Sequence, residues 1–194
     1  MSLLPRKGTA PSGDPVFKAG SPSAGLADFL SRLKNRVKPR LYDLGPAPGG
    51  NIVFFAGQGL RVYVDAERDH RTAGSPPDLG HLAEGDFEAA VLWDVIDFIP
   101  KDPAAVFASQ LARVIRPGGL VFLLSSTART DEPVPIQVYY IRSGGIIEAR
   151  PVEGATARRI RRENRDLEML FRDFTTISVH LLRSGMRELV IRRR

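Results

Sequence analysis

The residues Leu41-Tyr42-Asp43-Leu44-Gly45-Pro46-Ala47-Pro48-Gly49-Gly50-Asn51 combine an apolar run, an acid at its end and a glycine-rich turn. The run has the composition of a buried strand, and the turn opens a helix pattern. Glycine at Gly45 and Gly49 removes the Cβ that would hold the backbone away from a bound group. Asp43, at the strand end, can accept hydrogen bonds from a cationic ammonium group and suits a pyrophosphate poorly. Asp65 closes the next apolar run, 20 residues beyond Gly45. An acid there can hold both hydroxyls of a ribose. Gly45, Ala47 and Gly50 also pass as a G-x-A-x-x-G variant of the dinucleotide fingerprint, so a nicotinamide cofactor stays open on these residues alone.

Other candidates are thinner. Asp94 follows the apolar run Ala89 to Trp93 and reads either as a site residue or as a helix cap, with Trp93 as a pocket wall or ordinary core. Asp78, before Leu79 and Leu82, reads first as a turn former. His70, His81 and His180 are isolated and lack metal-ligand spacing, and the chain has no cysteine, so no metal site is expected. No residue stands out as a catalytic acid, base or nucleophile.

Positioning these groups requires a strand–turn–helix–strand unit, and the surrounding pattern supplies it. Ser23 caps a helix with Leu26, Phe29, Leu30 and Leu33 on one face, ending before Pro39. Arg40 to Leu44 reads as a strand, Asn51 to Gln58 as a helix, and Arg61 to Asp65 as a second strand. Residues 66–86, rich in Gly and Pro, read as irregular. Ala89 to Trp93 reads as a buried strand, followed by a helix with Asp102 as cap, Pro103 in its first turn, and Val106, Phe107, Leu111 and Val114 or Ile115 inward. Arg116-Pro117-Gly118-Gly119 breaks that helix before a strand at Leu120 to Leu124. Ile136 to Ile141 and Ile146 to Ala149 form a hairpin insertion, about residues 136–150. Asn164 caps a helix facing inward through Leu167, Leu170, Phe171 and Phe174. Thr176 to Leu182 and Glu188 to Ile191 form an antiparallel pair.

Composition bounds the rest. A chain of 194 residues, 43% hydrophobic, builds one core. The expected organisation is a flexible leader over residues 1–22 and one domain over 23–194. No apolar run suits a membrane span or a secretory signal, so a cytoplasmic protein is expected. The net charge is +6, with the excess in the second half around Arg158, Arg159, Arg161, Arg162 and Arg165. Those arginines read as a solvated basic face, with nucleic acid as the alternative partner.

Acid-x-Gly-x-x-x-Gly after a first strand, here Asp43, Gly45 and Gly49 with Ala47 in place of a middle glycine, resembles the signature of class I methyltransferases. Phe87-Glu88-Ala89-Ala90-Val91-Leu92-Trp93-Asp94 resembles that family's fourth strand, and Leu111 to Gly119 the helix and turn before its fifth. The resemblance implies a Rossmann-like α/β fold with a mostly parallel sheet, one antiparallel C-terminal strand and a truncated third-strand edge. It further implies S-adenosylmethionine as cofactor, bound by Asp43, Gly45, Ala47, Gly49, Asp65 and Asp94, and methyl transfer to an unidentified acceptor, with Tyr139 and Tyr140 of the hairpin covering the site. A non-catalytic binding module on the same fold is the alternative, and a nicotinamide-dependent oxidoreductase a distant one.

Overall fold

Ser23 takes an extended conformation and its hydroxyl accepts the Leu26 amide, which starts helix α1 at Ala24–Leu33. This computed structural model describes residues 22–64 and 74–194. The leader up to residue 21, Asp65 and His70 lie outside the described residues. Leu26, Phe29 and Leu33 face inward from α1, as their helical spacing requires.

The strand–turn–helix–strand unit follows as β1 (Arg40–Asp43), α2 (Gly49–Gly57) and β2 (Arg61–Val64). Next come β3 (Phe87–Trp93), a single 3-10 turn at Val95–Phe98, α3 (Lys101–Val114) and β4 (Ile115–Ser126). The strands β5 (Val134–Arg142) and β6 (Ile146–Ala157) form a separate antiparallel hairpin. The chain closes with α4 (Asn164–Leu170), β7 (Phe174–Leu181) and β8 (Met186–Arg193).

The six-stranded sheet has the order β2-β1-β3-β4-β8-β7. The pairs β1–β2, β1–β3 and β3–β4 are parallel, and β8 is antiparallel to both β4 and β7. One strand, β8, therefore runs against the other five. Both faces of the sheet are covered, and β3 is accordingly apolar along nearly its whole length. One face packs against α3 and α4 through residues such as Phe107, Leu111 and Phe171, the other against α1, α2 and the hairpin through Phe29, Phe55 and Tyr139. Among the described residues β2 is the sheet edge, and residues 74–86 carry neither helix nor strand. That segment is held instead by arginines: Arg113 donates to the carbonyls of Leu79 and Leu82, and Arg116 to that of Gly85.

Several local expectations need correction. Helix α3 begins at Lys101 after Pro100, with no side-chain cap from Asp102. Its buried residues are Ala104, Phe107, Ala108, Leu111, Ala112 and Val114, so Phe107, Leu111 and Val114 face inward as expected while Val106 turns outward to 59% exposure. The cap of α4 is Glu163, in a capping box with Asp166, rather than Asn164. Phe174 belongs to β7, where it begins the strand. The Arg116 to Gly119 turn is absorbed into β4 as a register shift, since Phe87 pairs with Ile115 and Ala89 with Leu120.

The run from Arg158 to Arg165 is not a uniform solvated face. Arg158, Arg161 and Arg165 are exposed, but Arg162 is buried and donates to the carbonyls of Ile96 and Ile99. The Arg159 side chain is 8% exposed, lies over the Phe98 ring and pairs with Asp94.

Candidate functional site

The carboxyl ends of β1 and β3 lie side by side, because Asp43 pairs in register with Val91. Asp43 is fully buried there. Its Oδ1 accepts the Gly45 amide at 3.1 Å and the Trp93 indole N–H at 2.7 Å, whereas Oδ2 is buried with no hydrogen-bond partner. Burial pushes its pKa up to about 6, against the lowering effect of the Trp93 and Gly45 donors.

Gly45 has no room for a side chain. A Cβ would stand 2.1 Å from Cδ1 and 2.6 Å from Nε1 of Trp93, so the indole rests on the glycine backbone. Gly49 and Gly50, at the start of α2, behave differently: a Cβ on either would meet nothing within 4 Å. Ala47 sits half-buried in the same turn. The structure thus brings Asp43, Gly45, Ala47, Gly49 and Asp94 to one end of the sheet.

Trp93 ends β3 with a backbone φ of 50°, a left-handed value unusual for an aromatic residue. Its indole stacks on Tyr139 of β5, with ring centroids 5.3 Å apart and planes 5° apart. The Tyr139 backbone is fixed by Asn51, the buried third residue of α2. The Asn51 carboxamide donates to the Tyr139 carbonyl at 2.8 Å and accepts the Ile141 amide at 2.8 Å. Of the two hairpin tyrosines only Tyr139 covers the site. Tyr140, on the opposite face of the strand, has the guanidinium groups of Arg142 and Arg150 within 5.3 Å of its ring.

Asp94 is buried, with its Oδ2 3.6 Å from the Arg159 guanidinium. Burial raises its pKa, opposed by Tyr139 and Arg159 in that order. Tyr139 is held well above the usual phenol range, first by burial and then by the adjacent Asp94 charge. As the cap residue of the short turn Val95–Phe98, Asp94 makes no side-chain capping bond.

Asp97, which no sequence motif marks, is the best-satisfied acid of this end. Its Oδ1 accepts the Ser125 hydroxyl and its Oδ2 the Ser126 amide. Burial pushes its pKa up to about 7, reinforced by Asp94 and opposed by the Ser126 amide. Arg187 of β8 completes this network through Ser125, Asn164 and the Arg162 carbonyl. An acid flanked by Val95, Ile96, Phe98 and Ile99 is the one sequence signal that could have revealed it, because an isolated charge among apolar residues must be buried with partners.

Asp78 accepts the Gly80 amide at 2.8 Å, an Asx turn. His81 is exposed and His180 is half-buried in β7. Among the described residues no group of three or more His, Asp or Glu side chains is placed to hold a metal ion. Beside the indole lies a cavity of about 40 Å³, lined by Pro46, Ser75, Asp94, Phe98, Ile136 and Tyr139 among others.

No family model matches this chain, and no curated protein matches it. Its structure is nonetheless similar to solved ones. An S-adenosylmethionine-dependent methyltransferase from Methanosarcina mazei aligns with a TM-score of 0.58 at 11% identity, covering 88% of this chain and 97% of the other. One from Mesorhizobium loti gives 0.55 at 17% identity, covering 88% and 98%. An amino pentose methyltransferase from Micromonospora echinaspora, solved with S-adenosylmethionine bound, gives 0.53 at 15% identity, covering 88% and 89%. At such identities the likeness is one of fold. With a parallel sheet closed by the single reversed strand β8, and with these neighbours, the chain has the Rossmann-like α/β fold of the class I methyltransferases.

Proposed function

We propose that this chain binds S-adenosylmethionine at the carboxyl ends of β1 and β3 and transfers its methyl group to a small acceptor. The observation that carries the reading is Asp43: a fully buried carboxylate with one oxygen unpartnered, directly before the open Gly49–Gly50 start of a helix. An acceptor atom without a donor is costly to bury, and the ammonium of an amino-acid moiety is the group that would satisfy it. The fit is partial. Asp43 and the open turn suit the cofactor, but the Trp93 indole lies on Gly45 and the neighbouring cavity is far below the roughly 300 Å³ of an ordinary small-molecule site.

When bound, the cofactor would supply an electrophilic methyl on a sulfonium. The chain's own part is then to hold and orient, since a methyl displacement depends mainly on alignment. Asp43 would hold the ammonium, the Gly45, Ala47 and Gly49 backbone would pass beneath the ligand, and Asp65 would take the ribose. Asp94, paired with Arg159, stands beside the apolar cavity where an acceptor proton would have to go. The apolar lining favours a small organic acceptor over nucleic acid, and a cytoplasmic setting is proposed with it. A second reading, a binding module without catalysis, is favoured by the same Trp93 contact, because a pocket filled by its own side chain needs no cofactor.

Titration calorimetry with S-adenosylmethionine and with a nicotinamide dinucleotide tests the reading. Saturable binding of S-adenosylmethionine is expected. Binding of the dinucleotide alone would refute it, and Asp65→Ala should cost about 1–3 kcal/mol of affinity through lost charge-assisted hydrogen bonds.

A further inference from the structure

We propose that Trp93 is an internal occupant of the ligand position and that ligands enter this pocket by displacing its indole from Gly45 and Asp43. The inference rests on the cofactor reading above and extends it to how the site opens.

Four observations converge on the indole. The absent side chain at Gly45 leaves a space, and that space is filled by Cδ1, Nε1 and Cγ of Trp93, which an added Cβ would meet at 2.1, 2.6 and 3.2 Å. The indole N–H occupies Asp43 Oδ1 at 2.7 Å, leaving Oδ2 without a partner. A side chain that satisfies half of a buried carboxylate imitates a ligand's ammonium without matching it. The backbone of Trp93 is held at φ 50°, a conformation that costs an aromatic residue stability and that surrounding contacts must enforce.

The fourth observation identifies which part moves. Tyr139 forms the other wall of the stack, but its backbone carbonyl and the Ile141 amide are both bonded to buried Asn51. The hairpin is further tied at Pro22, which pairs with Ile146. The roof is therefore anchored to α2 by backbone hydrogen bonds, whereas the buried indole is held by one hydrogen bond, by stacking on Tyr139 and by an edge contact with Phe122. Gly74 and Ser75, which border the same cavity, belong to a segment with neither helix nor strand. Opening the pocket is thus a side-chain event at Trp93, beside a border without helix or strand.

Trp93 is the sole tryptophan of the chain, so its emission reports on the site directly. The protein is titrated with S-adenosylmethionine and with S-adenosylhomocysteine, following tryptophan emission for wild type and calorimetric heat for wild type, Trp93→Ala and Trp93→Phe. A saturable emission change with the calorimetric midpoint is expected. Trp93→Ala should bind about tenfold more tightly, as removal of a closed state favoured about ten to one requires. Trp93→Phe, which keeps a ring and loses the N–H donor, should fall between. Binding by the alanine variant where wild type shows none supports the proposal most strongly. Heat of binding with unchanged emission, and all affinities within about twofold, would overturn the proposal while leaving the cofactor reading intact. Absence of binding by folded wild type and by both variants would overturn the cofactor reading, and the proposal with it. If Trp93→Ala does not fold, wild-type emission and Trp93→Phe decide the matter.

Discussion

Replacing Asn51 by alanine should loosen the hairpin without touching any residue of the sheet. The hairpin β5–β6 has only two strands, and an isolated two-stranded unit is marginal in water. Asn51 acts in place of a third strand, since its carboxamide pairs one carbonyl and one amide, at Tyr139 and Ile141, on the edge facing α2. Alanine leaves both groups buried and unpaired, at about 1–3 kcal/mol each, and partial entry of water brings the expected loss to about 3 kcal/mol. For a domain of this size that corresponds to a fall in Tm of about 6–12 °C. Thermal unfolding followed by circular dichroism measures it, and exchange of the Ile141 amide should accelerate about 100-fold if the hairpin opens locally. Asn51→Asp provides a control with a distinct signature: it keeps the acceptor for Ile141 but sets a carboxylate against the Tyr139 carbonyl. Its charged form is disfavoured on folding, so its stability should recover as the pH falls and the carboxyl becomes a donor. A loss below about 0.5 kcal/mol for the alanine variant would refute the claim that Asn51 holds the hairpin.

Three further outcomes follow from the buried groups. Asp43 and Asp97 have folded-state pKa values of about 6 and 7, above the unfolded value near 3.9, so both hold protons in the native state that the unfolded chain has lost. Their contribution to stability is present below about pH 4 and disappears as the pH rises through about 6 to 7. Urea denaturation of wild type against the double variant Asp43→Asn, Asp97→Asn should show a difference between the curves that changes over that window, and a constant difference would refute it. Gly45→Ala should expel the indole, shift the tryptophan emission to longer wavelength and cost about 1–3 kcal/mol through overpacking, whereas an unchanged spectrum would place the indole elsewhere. In a gel-shift at physiological salt we expect no defined complex with nucleic acid, because Arg159 and Arg162 are committed to Asp94 and to backbone carbonyls. A defined complex that weakens steeply with salt would overturn that expectation.

The parts of the fold legible in the sequence were those with a period or a punctuation mark. The spacing of Leu26, Phe29 and Leu33 identifies α1, the Gly144–Gly145 turn identifies the hairpin, and the apolar run into Gly45 identifies β1 and its loop. Helix starts were less legible where several candidates stood together. Asp102 and Asn164 are good cap types, yet Pro100 and Glu163 precede them, and backbone geometry chose the earlier residues. The site was legible as a place and not as a set of contacts. Gly45 reads as a point of close approach to a bound ligand, whereas the group that rests on it is Trp93, 48 residues onward. The arginine run misleads for the same reason: exposure depends on acids such as Asp94 that lie far away along the chain. Ser125 and Arg187 belong to no motif, and Asn51 closes the glycine-rich stretch without a sign of its role, because these roles exist only once distant strands have met.

The position of β8 has a kinetic consequence. It lies inside the sheet, between β4 and β7, and its Glu188 accepts the Gly25 amide in the first turn of α1 across 163 residues. Contacts so distant in sequence form slowly, because the chain must close the intervening loop before they repay it. The β7–β8 pair, by contrast, is local, joined through the turn between Leu182 and Met186 with Gly185 at φ 79°. Folding should therefore assemble that hairpin early and dock it as a unit against β4, with α1 settling onto Glu188 in the same late step. A substitution in the turn would then slow folding, and one at Glu188 would mainly speed unfolding.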